Sequence, residues 1–256
     1  MEEPTPVTAP EGVSASVAPF TYAGATLVAE EFGHAAPTFL LIHGIGMGRS
    51  VFGDLAAHLR GHGRIIAIDL PGYGAAPEPA RTLTVERTAD LVAAFLRGRA
   101  IGPVVAVGHS MGTQVAAELA ARHPELVTRV VLIAPTVNVR ERRASRQLLR
   151  LAQDLTVESP RVIAIGAKEY LRAGPHLGRK LRAMLVHRPE DAYPRIHAPA
   201  LVLRGEHDYV SPRDWCRFVV DRIPDARLAE IEGHGHETMI RDAGPAAARI
   251  LSFAGA

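Results

Sequence analysis

The pentapeptide Gly108-His109-Ser110-Met111-Gly112 leaves this chain few folds to choose from. It sits between an apolar, β-branched run, Val104-Val105-Ala106-Val107, and a helix-like run from Thr113 to Arg122. A Gly-x-Ser-x-Gly at a strand-to-helix junction is the signature of a nucleophile elbow. The turn is so tight that its serine holds a strained backbone conformation. Small residues must flank it two positions before and two after, because side chains there would strike the neighbouring strand and helix. The strain lifts the hydroxyl clear of the sheet edge, within reach of a base and a substrate. The competing reading, a serine that merely caps the next helix, weakens once its partners elsewhere in the chain are counted.

The rest of the chain fits such a junction. Strand-like and helix-like segments alternate, which predicts an α/β fold with a mainly parallel, eight-stranded sheet and helices on both faces. Strands are expected at 13–19, 25–31, 38–42, 64–69, 103–108, 128–134, 199–204 and 226–231, and helices at 50–60, 84–98, 112–123, 212–222 and 238–253. Phe39-Leu40-Leu41-Ile42 and Val130-Val131-Leu132-Ile133 are continuous apolar runs, as in strands covered on both faces. The acidic, proline-rich residues 1–12 read as a disordered tail, without the basic start and apolar stretch of a signal peptide.

The alternation fails over 137–196. No strand is visible there, and apolar residues recur at helical spacing: Leu148, Leu151 and Leu155, then Leu177, Leu181, Met184 and Leu185. The segment holds 13 Lys+Arg and 6 Asp+Glu, a balance of +7, against 16 minus 21, or −5, for the remainder. A helical insertion between two strands of a parallel sheet is expected to lie as a lid over the strand ends, where ligands bind in such folds. The expected organisation is therefore a core of 13–136 and 197–256 with a lid of 137–196. The lid is the suspected substrate-binding region, with Met184 as a candidate. Arg140, Arg142, Arg143, Arg146 and Arg150 read as the solvated face of an amphipathic helix. The sharper alternative is that this basic segment recognises an anion.

A serine hydroxyl is a weak nucleophile at neutral pH and needs a base, which needs an orienting partner. After an elbow the expected chain order is Ser, then Asp or Glu, then His. Asp208 is the candidate acid, just past the strand ending Leu201-Val202-Leu203, with Glu206 and then Glu141 as weaker competitors. His236 is the candidate base, in Gly233-His234-Gly235-His236 after the last strand, with His234 as its competitor. An oxyanion hole needs two preorganised donors. The backbone N–H of Met111, the residue after the serine, is one. The other is assigned to Ile45 in the loop His43-Gly44-Ile45-Gly46, with Gly44 as the alternative. His43 is expected to brace that loop, and His109 to point away from the hydroxyl. Trp215 is expected in the core rather than at an entrance.

Taken together, these residues resemble the α/β-hydrolase superfamily over roughly 20–135 and 198–254, in its serine-nucleophile, cofactor-free esterase and haloperoxidase-like branch. The resemblance rests on the His-Gly loop at 43–46, Asp69-Leu70-Pro71-Gly72-Tyr73-Gly74, the elbow, the Gly-x-x-Asp at 205–208 and the Gly-x-Gly-His at 233–236. It implies that Asp69 is a structural turn residue. It also implies a serine hydrolase that cleaves a carboxylic ester of a small or medium substrate through an acyl-enzyme. A serine at position 110 speaks against haloalkane dehalogenases and epoxide hydrolases, which usually place Asp there. The same triad would also serve a C–C bond or lactone hydrolase or an acyltransferase. A small-molecule receptor on the same scaffold is the alternative of another class.

Composition narrows the setting. A hydrophobic fraction of 47% with 22% charged residues is that of a soluble globular chain. A net charge of +2 gives no case for nucleic acid, and no apolar run is long enough to span a bilayer. The single cysteine, Cys216, excludes an internal disulfide and a cysteine-based metal site, and fits a reducing cytoplasm. No metal or cofactor is expected, and nothing in the residues sets an oligomeric state.

Overall fold

The computed structural model describes residues 16–142, 176–240 and 242–256. The expected tail at 1–12 and residues 143–175 of the expected lid, with Leu148, Leu151, Leu155, Arg143, Arg146 and Arg150, lie outside these residues.

Eight strands form one sheet in the order β1-β2-β4-β3-β5-β6-β7-β8. They are β1 (Ser16–Tyr22), β2 (Ala25–Phe32), β3 (Thr38–Ile42), β4 (Arg64–Asp69), β5 (Val104–His109), β6 (Val127–Ile133), β7 (Ala200–Gly205) and β8 (Ala226–Ile231). Strand β2 runs antiparallel to both its neighbours, and β3 to β8 are mutually parallel. The described helices are α1 (Gly53–Leu59), α2 (Val85–Gly98), α3 (Met111–Arg122), α4 (Leu177–Val186), the single turn α5 (Pro189–Ala192), α6 (Arg213–Arg222) and α7 (Gly244–Ala254).

The continuous apolar strands supply two cores because successive side chains point to opposite faces. Leu40, Ile42, Val104 and Ala106 pack under α2, α3, α4 and α6, while Phe39, Leu41, Val105 and Val107 pack under α1 and α7. Both faces are covered, so all six residues of β5 are buried. Trp215 belongs to the first core, its indole N–H donating to the Pro135 carbonyl at 2.8 Å.

Three expectations need correction. The first strand, described from Ser16, runs on past the expected 19 to Tyr22, because the hairpin turn falls at Ala23-Gly24, both at positive φ. The last helix starts at Gly244, not 238: Pro245 lacks an N–H and fits only a helix's first turn. Before it, residues 238–240 form a turn, and the Ala243 N–H meets Asp54 at 2.7 Å. The helix expected at 50–60 opens as a 3₁₀ turn, Arg49–Phe52, before α1. In the lid segment, Arg140 is exposed as expected. Arg142 turns inward instead, donating to the His187 carbonyl at 2.6 Å and pairing with Glu190.

The parallel strands place their carboxyl ends along one edge, so the loops after β3, β5, β7 and β8 emerge together. Those four loops carry His43-Gly44-Ile45, Ser110, Asp208 and His236 respectively.

Candidate active site

Ser110 sits between β5 and α3 at φ 51°, ψ −118°, a left-handed conformation that serine rarely adopts. Its N–H donates to the Ile133 carbonyl at 2.9 Å, and its carbonyl accepts from the Thr113 N–H at 3.0 Å. The elbow glycines are required by space. A Cβ on Gly108 would run into the backbone of Gly112 and Thr113, and one on Gly112 into the carbonyls of Ile42 and His43.

The loop after β3 approaches as closely. A Cβ on Gly44 would lie 3.1 Å from the Ser110 Cβ and 3.1 Å from His109 Nδ1. This places His43-Gly44-Ile45 beside Ser110. Met111 opens α3, whose first-turn N–H groups have no acceptor within the helix. His43 braces this loop: its Nδ1–H donates to the Gly44 carbonyl at 2.7 Å, and Nε2 accepts from the Leu70 N–H at 3.1 Å. Burial holds its pKa below the usual histidine value. Asp69 accepts from the N–H groups of Arg49 at 2.6 Å and Ala75 at 2.8 Å and pairs with the Arg49 guanidinium. That is the structural turn role the resemblance implies for it.

Asp208 and His236 meet across two loops. His236 Nδ1 lies 3.1 Å from each Asp208 carboxylate oxygen, and both side chains are buried. A carboxylate only accepts, so the proton is on Nδ1 and Nε2 is left with a lone pair. The two loops are stitched by backbone: the His207 N–H donates to the His234 carbonyl at 2.8 Å, and the Glu206 N–H to the Ile231 carbonyl at 2.9 Å. Gly205 permits this approach, since a Cβ there would collide with the carbonyls of His234 and Gly235. The competitors are engaged elsewhere. The Glu206 carboxylate accepts from the Gly233 N–H at 3.0 Å, and the His234 ring lies 2.9 Å from the Glu232 carbonyl and 3.3 Å from that of Asp242.

Two supporting residues escape sequence reasoning. Arg204 is buried at the end of β7, where it donates to the carbonyls of Ser211, Glu206 and Asp208 and pairs with Glu230. One guanidinium thus shapes the whole Asp208 loop, and the Ser211 N–H completes it by donating to Asp208 at 2.7 Å. The available signal was a charge ending an apolar strand, Leu201-Val202-Leu203-Arg204. His109 is the second. Its ring lies 5.0 Å from that of His236, and its Nε2–H donates to the His236 carbonyl at 3.2 Å. Burial, and then the neighbouring His236, hold its pKa well below the usual value, so the ring is neutral.

Among the described residues, Glu86, Glu118 and His187 are the group whose ligand atoms converge as a metal would need. His187 Nε2 already meets Glu118 at 3.0 Å, with Arg195 3.8 Å from the same carboxylate. Arg122, whose pKa is raised first by its hydrogen bonds to Asp90, also feels both carboxylates of the cluster. The cluster is charge-balanced without an ion.

A sequence profile of the alpha/beta hydrolase family matches residues 39–249. The chain belongs to that family. Among its relatives, the pimeloyl-[acyl-carrier protein] methyl ester esterase of Chromobacterium violaceum is 28% identical over 226 residues, which span 78% of this chain and 87% of the relative. The 2-(acetamidomethylene)succinate hydrolase of Mesorhizobium japonicum is 30% identical over 177 residues, 68% of this chain and 55% of that protein. In fold, the chain is similar to a thermophilic esterase from Thermogutta terrifontis, with a TM-score of 0.79, 22% identity and coverage of 94% and 98% of the two chains. The expected fold and the expected hydrolase class, of carboxylic-ester type, agree with the family and with these relatives. No helix among the described residues is long and apolar enough to cross a membrane.

Proposed function

We propose that the protein is a serine esterase acting through an acyl-enzyme, with Ser110 as nucleophile, His236 as base and Asp208 as its orienting acid. The observation that carries this reading is the buried Asp208–His236 pair, 3.1 Å apart, on loops that leave the same sheet edge as an elbow serine at φ 51°. His236 Nε2 takes the Ser110 proton as Oγ bonds to the ester carbonyl carbon. The negative charge moves to the carbonyl oxygen, where the N–H groups of Met111 and Ile45 receive it. When the tetrahedral adduct collapses, the carbon–oxygen bond to the alcohol breaks, and His236 returns the proton to that oxygen. Water then adds to the acyl-serine by the same route, releasing the acid and restoring Ser110. Base, acid and donors all come from the chain, so the scheme calls on no metal or cofactor.

The substrate is a carboxylic ester of small or medium size. Relatives that are methyl ester esterases favour a small alcohol as leaving group. On this reading the described part of the insertion, 176–196, belongs to the lid, and Met184, buried at 4% exposure with Met111 on the same cavity, contributes to substrate binding. The lone Cys216 is buried and its thiol pushed up to about 12, an inert group suited to a reducing cytoplasm.

The test is labelling by a fluorophosphonate probe beside hydrolysis of a short aryl ester. Wild-type protein should label at Ser110 and turn over. Ser110→Ala should do neither, losing on the order of 10⁴-fold or more in kcat while keeping its Tm. Turnover near the wild-type rate in that variant would sink the assignment.

A further inference from the structure

Helix α4 carries the apolar stripe Leu177, Leu181, Met184 and Leu185, yet Lys180 is as buried as Met184, each 4% exposed. A buried ammonium costs several kcal/mol unless acceptors surround it. Lys180 Nζ has three partners: the Glu78 carboxylate at 2.7 Å, the Gly72 carbonyl, and the face of Tyr73 with its centroid at 4.3 Å. Gly72 makes the room. It sits at φ 79°, and a Cβ there would intrude on both Glu78 Oε2 and Lys180 Nζ.

The contacts continue toward the elbow. The Tyr73 hydroxyl lies 3.7 Å from Met111 Sδ, and its ring packs edge-on against His43 with centroids 5.0 Å apart. Tyr73, Glu78, Met111, Val115, Lys180 and Met184 all line one cavity of about 40 Å³. At about 10–15 Å³ for each water-sized occupant, it admits about three heavy atoms. Glu78 is the more open partner, with 32% of its side chain exposed against 4% for Lys180, so solvent lies on its far side.

We propose that the Glu78–Lys180 ion pair is a specificity-determining gate that closes the cavity beside Met111 and restricts one arm of the ester to a short, apolar chain of about three heavy atoms. The idea rests on the acyl-enzyme reading above and names its substrate class. Within the cavity, walls of Leu70, Val85, Val115 and Met184 favour a hydrocarbon arm. Each methylene beyond the available room is worth about tenfold or more against the substrate.

The experiment measures kcat/KM over two series, aryl esters of lengthening acyl chain and acetates of lengthening alkyl alcohol. In the wild type, one series should break sharply beyond about three heavy atoms. Lys180→Ala and Glu78→Ala should each raise the long-to-short ratio in that series by about tenfold, mainly through KM. The shortest ester should keep its kcat in both variants. A merely structural role would instead depress kcat at every length. Glu78→Ala stands in if Lys180→Ala fails to fold, because Glu78 is partly exposed. Fluorophosphonate labelling separates the two ideas. Unlabelled wild-type protein defeats the esterase reading, whereas labelled protein with chain-length profiles unchanged in both variants defeats the gate alone.

Discussion

Around Ser110, Asp208 and His236 the chain is held mainly by backbone, with the Arg204 guanidinium bracing the Asp208 loop. Four glycines, at 44, 108, 112 and 205, bring main chain or side chain so close that a Cβ would touch or strike a neighbour. Carbonyl-to-amide bonds join the Asp208 loop to the His236 loop. On the side facing α4, the corresponding work falls to charged side chains: Lys180 with Glu78, Arg142 with Glu190, His187 with Glu118. Backbone stitching tolerates almost no displacement, whereas ion pairs re-form with different geometry and can be exchanged one side chain at a time. On the proposed reading, the contrast separates a reacting centre that must not move from a wall that can be retuned.

Asp208→Asn probes the rigid half most severely. The amide keeps the shape and an oxygen for the Ser211 N–H, but it cannot stabilise a charged His236 and can impose the wrong tautomer. Turnover should fall by about 10⁴-fold with little change in Tm. A loss comparable to that expected at Glu78 would erase the distinction between centre and wall. Gly205→Ala is the next largest. Its methyl group meets the carbonyls of His234 and Gly235, so the His236 loop must shift away from Asp208. Overpacking of this kind costs about 1–3 kcal/mol, readable in denaturant melts. Turnover should fall by about 10²-fold, since small misplacements in a catalytic geometry are that expensive. The same change at Gly178, in helix α4, whose Cβ would meet nothing within 4 Å, should leave turnover unchanged and raise stability by up to about 1 kcal/mol.

The two halves also differ in how openly the sequence declares them. The elbow, the Gly-x-x-Asp and the Gly-x-Gly-His are legible because close backbone approach demands glycine at fixed offsets from the reactive residue. The strands are legible because burial on both faces leaves unbroken apolar runs such as 39–42 and 130–133. Arg204, Glu78 and Lys180 were not. Each acts through one long side chain whose ion-pair partner lies far along the chain, Glu78 for Lys180 and Glu230 for Arg204, so no local spacing marks it. Helical periodicity does not mark Lys180 either, since the stripe drawn through Leu177, Leu181 and Met184 passes it by. The late start of α7 has a plainer cause: the pattern at 238–243 is helix-like, and only Pro245 marks where the helix begins.

The smallest expected effect concerns how the rigid half responds to acid. His43 and His109 are both fully buried with pKa values lowered chiefly by that burial. Once unfolded, each returns to about 6.5. Above that pH neither state binds the proton, and the histidines make no demand. Below it the unfolded chain takes up protons that the native rings refuse, so stability falls as pH falls, by up to about 1.4 kcal/mol per pH unit for each ring. Tm should therefore decline from about pH 6.5 toward 5, above the usual carboxylate range. His109→Gln retains an N–H for the His236 carbonyl and has no proton to gain. It should lower Tm slightly at pH 7.5 and flatten the decline by about half. A slope identical to wild type would mean that the His109 ring accepts its proton in the folded state, and that its neutrality is no part of what holds His236 in place.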